Sequence, residues 1–256
     1  MSDWGQGAKN NTIGWGQGAC DNTIGWGTSQ KDNNSWSGDT DISGSSGAAA
    51  LAQIDNLNSI AFDGVNDYID AGTGVGNALG SSATNFSVSG WFKTVVNPLP
   101  SGEGMFSIGL GPVNAATTSP FEFFQDYYQI LYVRSGVSRV GFSFDVRPEA
   151  WRHYCIVYDG TKAVATDRFN LYINGVAPTK INLFGTIPTS INLTNQSAFI
   201  GGVSANKYYN GNIDEVAVFN YSLTESEALS IYNATTTGKT ADLSQLTTPP
   251  IAWYRM

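Results

Sequence analysis

Two carboxylates stand side by side in the run Gly211-Asn212-Ile213-Asp214-Glu215-Val216-Ala217-Val218-Phe219. Ile213, Val216 and Val218 are strand-forming apolar residues, and Gly211 lets a neighbouring backbone approach closely. A bare carboxylate inside such a strand is costly, so it must reach a donor, a cation or the end of the sheet. Adjacent residues of a regular strand face opposite sides, so Asp214 and Glu215 are not expected to act as an acid–base pair across one bond. Asp145 and Glu149 lie close in sequence but flank Pro148 in an expected loop. His153 is the single histidine of the chain, which excludes a histidine-rich metal site, and it reads as a satisfied, partly buried residue. No serine sits in a Gly-x-Ser-x-Gly elbow. Aromatics beside Asn and Asp in loops are a common means of holding sugars. Tyr127, Tyr128, Tyr208, Tyr209 and Asn210 are placed to form such a platform.

The elements that must position these groups are short strands. Phe86 to Thr94 alternates Phe86, Val88, Gly90 and Phe92 with Ser87, Ser89, Trp91 and Lys93, the pattern of a half-buried strand. Further strands are expected near Ser59–Phe62, Tyr68–Ala71, Met105–Leu110, Phe121–Phe124, Gln129–Arg134 and Val137–Phe144. Trp151–Tyr158, Arg168–Ile173 and Ser197–Ile200 continue the series. Ser135-Gly136 marks a hairpin and Asn174-Gly175 a tight turn. Leu51–Leu57 reads as a short turn or helix. After the strand ending at Phe219, Thr224 and Glu227 have the spacing of a helix capping box. Ala228, Leu229, Ile231 and Tyr232 supply the apolar side of a short helix. This spacing predicts an all-β, two-sheet antiparallel jelly-roll sandwich with one short C-terminal helix.

The 256 residues fit one such sandwich with appendages. Only 13% are charged and 12% are aromatic, with 29 glycines, a balance that favours an all-β surface protein. The net charge of −8 argues against a nucleic-acid partner, which needs a basic footprint. No stretch approaches a membrane span, and Met1-Ser2-Asp3-Trp4-Gly5 has neither the basic start nor the apolar run of an export signal. Cys155 sits in an apolar strand pattern and reads as a small core residue, with no disulfide to Cys20 expected.

The amino-terminal region is a repeat. Trp4-Gly5-Gln6-Gly7-Ala8-Lys9-Asn10-Asn11-Thr12-Ile13-Gly14 is followed by Trp15-Gly16-Gln17-Gly18-Ala19-Cys20-Asp21-Asn22-Thr23-Ile24-Gly25, and a degenerate copy begins at Trp26-Gly27. The glycines exclude a helix, at about 1 kcal/mol each. Extended turns that present Trp4, Ile13, Trp15, Ile24, Trp26 and Trp36 cannot bury these side chains alone. They need another copy of the chain or a neighbouring protein. Ser43 to Ala50 is a Gly/Ser/Ala linker.

Five segments carry a family resemblance in order: Ile60-Ala61-Phe62-Asp63-Gly64 onward to Ile69, Phe86 to Lys93, Trp151 to Gly160, Phe169 to Gly175, and Gly211 to Phe219 with its capped helix. Together they resemble the laminin-G-like, concanavalin-A-like jelly-roll modules over about residues 58–234. Many such modules hold one structural calcium. The resemblance places Ca2+ at Asp63, Gly64 and Asp214, with Asp67 a weaker addition. The fold also hosts β-glucanases, but the closely spaced acidic strand motif of those enzymes is missing, so no enzyme is expected. The arm resembles repeats that open structural proteins of tailed bacteriophages. This implies a non-enzymatic virion protein: residues 1–42 anchor to capsid, baseplate or fibre base, 43–57 link, 58–234 form the displayed sandwich, and 235–256 form a linker and the start of a further module. The sandwich would adhere to host or environmental glycans, and the arm would assemble as a homo-oligomer or on other virion proteins. The alternative is a secreted or cell-surface bacterial carbohydrate-binding or adhesion module.

Overall fold

The computed structural model describes residues 51–95, 102–114, 119–126, 130–144 and 149–256. The repeat arm with its tryptophans, Cys20, Tyr127, Tyr128 and Asp145 lie outside the described residues. In chain order the elements are β1 (Gln53–Asp55), β2 (Ile60–Asp63), β3 (Ile69–Asp70), helix α1 (Gly74–Leu79), β4 (Asn85–Thr94), β5 (Glu103–Gly109), β6 (Phe121–Gln125), β7 (Leu131–Ser135), β8 (Ser138–Ser143) and β9 (Arg152–Asp159). There follow β10 (Phe169–Ile173), β11 (Thr179–Phe184), β12 (Ser197–Ile200), β13 (Gly202–Val203), β14 (Lys207–Tyr208), β15 (Asn210–Phe219), helix α2 (Glu225–Asn233), β16 (Lys239–Ala241) and β17 (Ala252–Tyr254).

Two antiparallel sheets face each other. One runs β10-β9-β4-β15-β17, with β2 also on β15, and the other runs β11-β8-β7-β6-β5-β12-β3. Strand alternation sends one set of side chains between the sheets. Phe86 and Phe92 of β4 meet Phe121 and Phe123 of β6 there, with Phe86 and Phe121 edge to face at 4.9 Å. The other side of β4, β9 and β15 carries a second apolar cluster, in which Cys155, Val157, Ala217 and Phe219 pack against Ala228 and Ile231 of α2. Thr224 and Glu227 form the expected capping box: the Thr224 hydroxyl accepts from the Glu227 amide and the Glu227 carboxylate accepts from the Thr224 amide.

Strand β15 shows how the sequence shapes the centre of the first sheet. A Cβ at Gly211 would lie 2.1 Å from the Lys93 carbonyl oxygen, so only glycine lets β15 start this close to β4. Asp214 pairs with Trp91 and Ala217 with Ser89, so Glu215 and Val216 together oppose Gly90. This is a β-bulge, and Glu215 takes a left-handed backbone with φ of 55°. The bulge overturns the expectation that Asp214 and Glu215 face opposite sides. Ile213, Val216 and Val218 all point into the core. The extra residue leaves Asp214 and Glu215 both directed away from it.

Several segments depart from the sequence reading. Gly74–Leu79 is a second short helix where a single C-terminal one was expected, and Lys239–Ala241, expected in a linker, is a strand. Gln53–Asp55, expected in a turn or helix, is a strand paired with β16. Thr179–Phe184, not anticipated, forms the outer strand β11. Ala252–Tyr254, expected in the linker and further module of residues 235–256, adds to the first sheet as β17, with Val216 opposite Tyr254 and Val218 opposite Ala252. The reason is geometric. Strand β2 pairs only with Asn210–Ile213, because it begins at Ile60 opposite Ile213. The second half of β15 needs a different partner for its backbone.

Candidate functional site

A cavity of about 620 Å³ opens on the outer side of the first sheet. Its floor is Trp91 of β4. Its walls are residues 56–59 after β1, residues 235–239 between α2 and β16, Asp214 and Trp151. The Asn56 amide donates to the Gly238 carbonyl at 2.9 Å, which ties the two loops together. Trp151 is 39% exposed. Trp91 is half-buried, stacked on Tyr232 of α2 at 5.8 Å and 25°. Register places Asp214, Trp91 and His153 in one row across β15, β4 and β9.

The polar groups of this wall are held in place. Asn56 Nδ2 donates to Asp214 Oδ2 at 2.8 Å. The Asp214 Oδ1 accepts from the amides of Glu215 at 2.8 Å and Met256 at 3.1 Å. Burial pushes the Asp214 carboxyl above its usual range, and these three donors and Arg255 offset part of that shift. Glu215 is engaged beside it: Oε2 accepts from Trp253 Nε1 at 2.7 Å and Oε1 from Arg255 Nε at 3.2 Å. Burial likewise raises the Glu215 carboxyl, opposed by Arg255 and Trp253. Strand β17 thus supplies both partners of the second carboxylate. A buried charge of this kind persists only when paired and hydrogen-bonded.

His153 is fully buried and its Nε2 shares a 2.7 Å hydrogen bond with Ser89 Oγ. Burial lowers its pKa to about 3, so the ring is neutral. Cys155 is buried and unbridged, and burial raises its thiol pKa. Cys155 matches the core role expected for it, whereas His153, expected to be partly buried and satisfied, is fully buried with its Nδ1 lacking a hydrogen-bond partner.

The calcium set does not converge. Asp63 pairs with Asn210 and Ile60 with Ile213, so Asp63 lies four register positions from Asp214, roughly 13 Å along the strand. Asp63 Oδ1 is occupied as an acceptor from the amides of Val65 and Asn66. Gly64 abuts the Asn210 side chain instead of Asp214. Among the described residues, no group of three or more His, Cys, Asp or Glu gathers to hold a metal ion. Asp63, Gly64 and Asp214 therefore do not fit one calcium ion.

The tyrosine platform also divides. Tyr209 is fully buried in the core, edge-on to Phe62 and Phe92, and its hydroxyl meets Thr94 Oγ1 at 3.0 Å. Consecutive strand residues alternate, so Tyr208 lies on the rim, half-buried and 6.4 Å from Tyr68. Asn210 is held in the ladder, its amide donating to Glu103 Oε1 at 2.7 Å. Trp91 and Trp151, which form the cavity, were not among the expected sugar-binding residues. The signal was present: Trp91 falls on the polar side of the Phe86–Thr94 alternation, away from the core between the sheets.

The Concanavalin A-like lectin/glucanases superfamily model, Laminin_G_3, matches residues 63–228. The chain belongs to this superfamily. Its lectin-like sandwich shares its fold with the CBM40 of a Ruminococcus gnavus IT-sialidase, at TM-score 0.50 and 13% identity over 72% of this chain and 100% of that one. A Trypanosoma rangeli sialidase in complex with sialic acid aligns at TM-score 0.51 and 12% identity, over 71% of this chain and 28% of the sialidase. A Bacteroides ovatus protein assigned to carbohydrate binding aligns at TM-score 0.49 and 13% identity, over 80% of this chain and 52% of that one. No curated protein matches the sequence.

Proposed function

We propose that the lectin-like sandwich is a non-enzymatic carbohydrate-binding module that seats a neutral sugar in the Trp91–Trp151 cavity. The observation that carries this reading is the pairing of two tryptophans with a fixed Asn56–Asp214 donor–acceptor pair in one opening. Indole faces cover the apolar side of a sugar ring, while a carboxylate and an amide take its hydroxyls. The fold shared with the CBM40 module is compatible with this use. Asp214 and Glu215 leave one strand on the same side with their oxygens engaged, which favours binding over cleavage, since glycoside hydrolysis needs two carboxyl groups across the scissile bond.

The test is a glycan array followed by titration with the Trp151→Ala variant, whose side chain is exposed enough to leave the fold intact. Affinity for the neutral ligand should fall at least about tenfold. Equal affinity of variant and parent would sink the reading.

The spaced tryptophans of residues 1–42 favour a second reading, in which the arm attaches the module to a larger assembly such as a virion. Removal of residues 1–48 should then leave a folded sandwich that fails to incorporate into particles. Normal incorporation would refute anchoring by the arm.

A further inference from the structure

We infer that the outer side of the seven-stranded sheet is a second binding surface, for a carboxylate-bearing polysaccharide such as a polyuronate, with Arg139 as its central anion-binding residue. The surface is a single cross-strand row. Phe184 of β11 is opposite Arg139 of β8, Arg139 is opposite Arg134 of β7, and Arg134 is opposite Glu122 of β6. Glu122 is opposite Ser107 of β5 and Ser107 opposite Phe199 of β12. Ser107 and Glu122 are fully buried beneath residues 202–204, so the open part of the row is Phe184, Arg139 and Arg134, about 10 Å, the length of about two sugar rings.

Two like charges set directly opposite on a sheet are unfavourable without a counter-charge. Only Arg134 has one. Glu122 accepts from Arg134 at 2.5 Å, and also from the amides of Ser119 and Ser204 and the Ser204 hydroxyl, so this carboxylate is fully committed. Arg139 makes no ion pair among the described residues. Its guanidinium lies between two rings, 5.1 Å from Tyr132 and 5.2 Å from Phe184, and its buried Nε has no acceptor. Lys207 stands 5.9 Å over Phe124, which itself stacks on Tyr132 at 5.5 Å. The surface therefore carries Arg134, Arg139 and Lys207, with Glu122 committed to Arg134 and Asp126 close enough to act on Lys207, so Arg139 is the cation left without a counter-charge among the described residues.

Rings on both sides of Arg139 fix the plane of its fork while leaving the charge unneutralised. A planar fork matches a carboxylate with two parallel hydrogen bonds. Phe184, 54% exposed, offers the adjoining sugar an apolar face. A repeating acidic sugar meets both features in succession. The site is separate from the Trp91–Trp151 cavity, which lies on the other sheet, and does not depend on it.

The experiment is calorimetric titration of the full chain with oligogalacturonate, with the same oligomer after carboxyl reduction, and with a sulfated neutral oligomer of equal length. Oligogalacturonate should bind, and Arg139→Gln should weaken it about tenfold or more, the loss expected for a charged hydrogen bond. Arg139→Lys keeps the charge but not the fork and should give a smaller loss. Both variants should retain the parent's melting midpoint and its binding of neutral glycan. Equal binding of the reduced oligomer, equal binding of the sulfated one, or an unchanged affinity in Arg139→Gln would each overturn the inference. Loss of neutral-glycan binding in the parent with oligogalacturonate binding intact would count against the tryptophan cavity alone.

Discussion

Glu103 and Gln125 face each other across β5 and β6, and each keeps one buried side-chain oxygen without a donor, Oε2 of Glu103 and Oε1 of Gln125. Glu103 Oε1 accepts from the Asn210 amide. A buried acceptor without a donor is unfavourable, and a proton on Glu103 removes the charge from such a group. Burial raises the Glu103 carboxyl to about 8, with the Asn210 amide opposing the shift.

This shift sets a pH dependence. Between the ordinary value of 4.5 and about 8 the folded chain holds a proton that the unfolded chain has lost. The stabilisation is complete below 4.5 and is lost as pH rises to about 8, by about 5 kcal/mol at most. Urea unfolding at intervals from pH 5 to 9 should show the decline, and Glu103→Gln should flatten it. A parallel decline in that variant would assign the effect to other groups.

Asp214 shifts in the same direction, so sugar binding should respond to acid. A cavity that uses the Asp214 carboxylate as acceptor loses it when the group is protonated, which begins above the ordinary value of 3.8 because burial raises the pKa. Affinity should fall on acidification. Asp214→Asn should bind weakly at all pH values. A pH-independent affinity in the parent would remove Asp214 from the contact.

Strand β17 should contribute substantially to stability. Its removal, by ending the chain after Pro250, takes Trp253 and Arg255 from Glu215 and the Met256 amide from Asp214. Leaving a buried carboxylate unpaired costs about 3 kcal/mol or more. The midpoint of chemical unfolding should drop accordingly, and a midpoint within error of the parent would contradict the pairing.

Calcium and a chelator should give the same thermal midpoint, because Asp63 and Asp214 are held apart by the β2–β15 register and their oxygens accept amide hydrogens. A calcium-dependent rise abolished by Asp214→Asn would show that this carboxylate does bind the ion.

In the core, Phe86→Ala removes a fully buried ring between the sheets and should cost about 4 kcal/mol. Equilibrium unfolding measures it directly, and a cost under about 1 kcal/mol would mean that the two sheets do not meet there.

Much of the fold was legible in local sequence. Alternation defined β4, Asn174-Gly175 closed β9 onto β10, and Thr224 with Glu227 started α2, because each depends on residues within a few positions of one another. The buried Cys155 was legible for the same reason, from its place in an apolar strand. What the sequence by itself did not determine was which segments come together across long separations. Ala252–Tyr254 reads as a short apolar run with no local cue to its partner, and only the short reach of β2 along β15 explains why β15 needs one. The bulge at Glu215 reversed the expected direction of a carboxylate, since a single extra residue changes which face every later side chain takes. Tyr209 and Tyr208 look alike in sequence, yet strand parity sends one into the core and the other to the rim. The cavity exists only because residues 56–59 and 235–239 are brought over Trp91 by the β1–β16 pair. Such a site depends on register and packing, which local residue preferences do not encode.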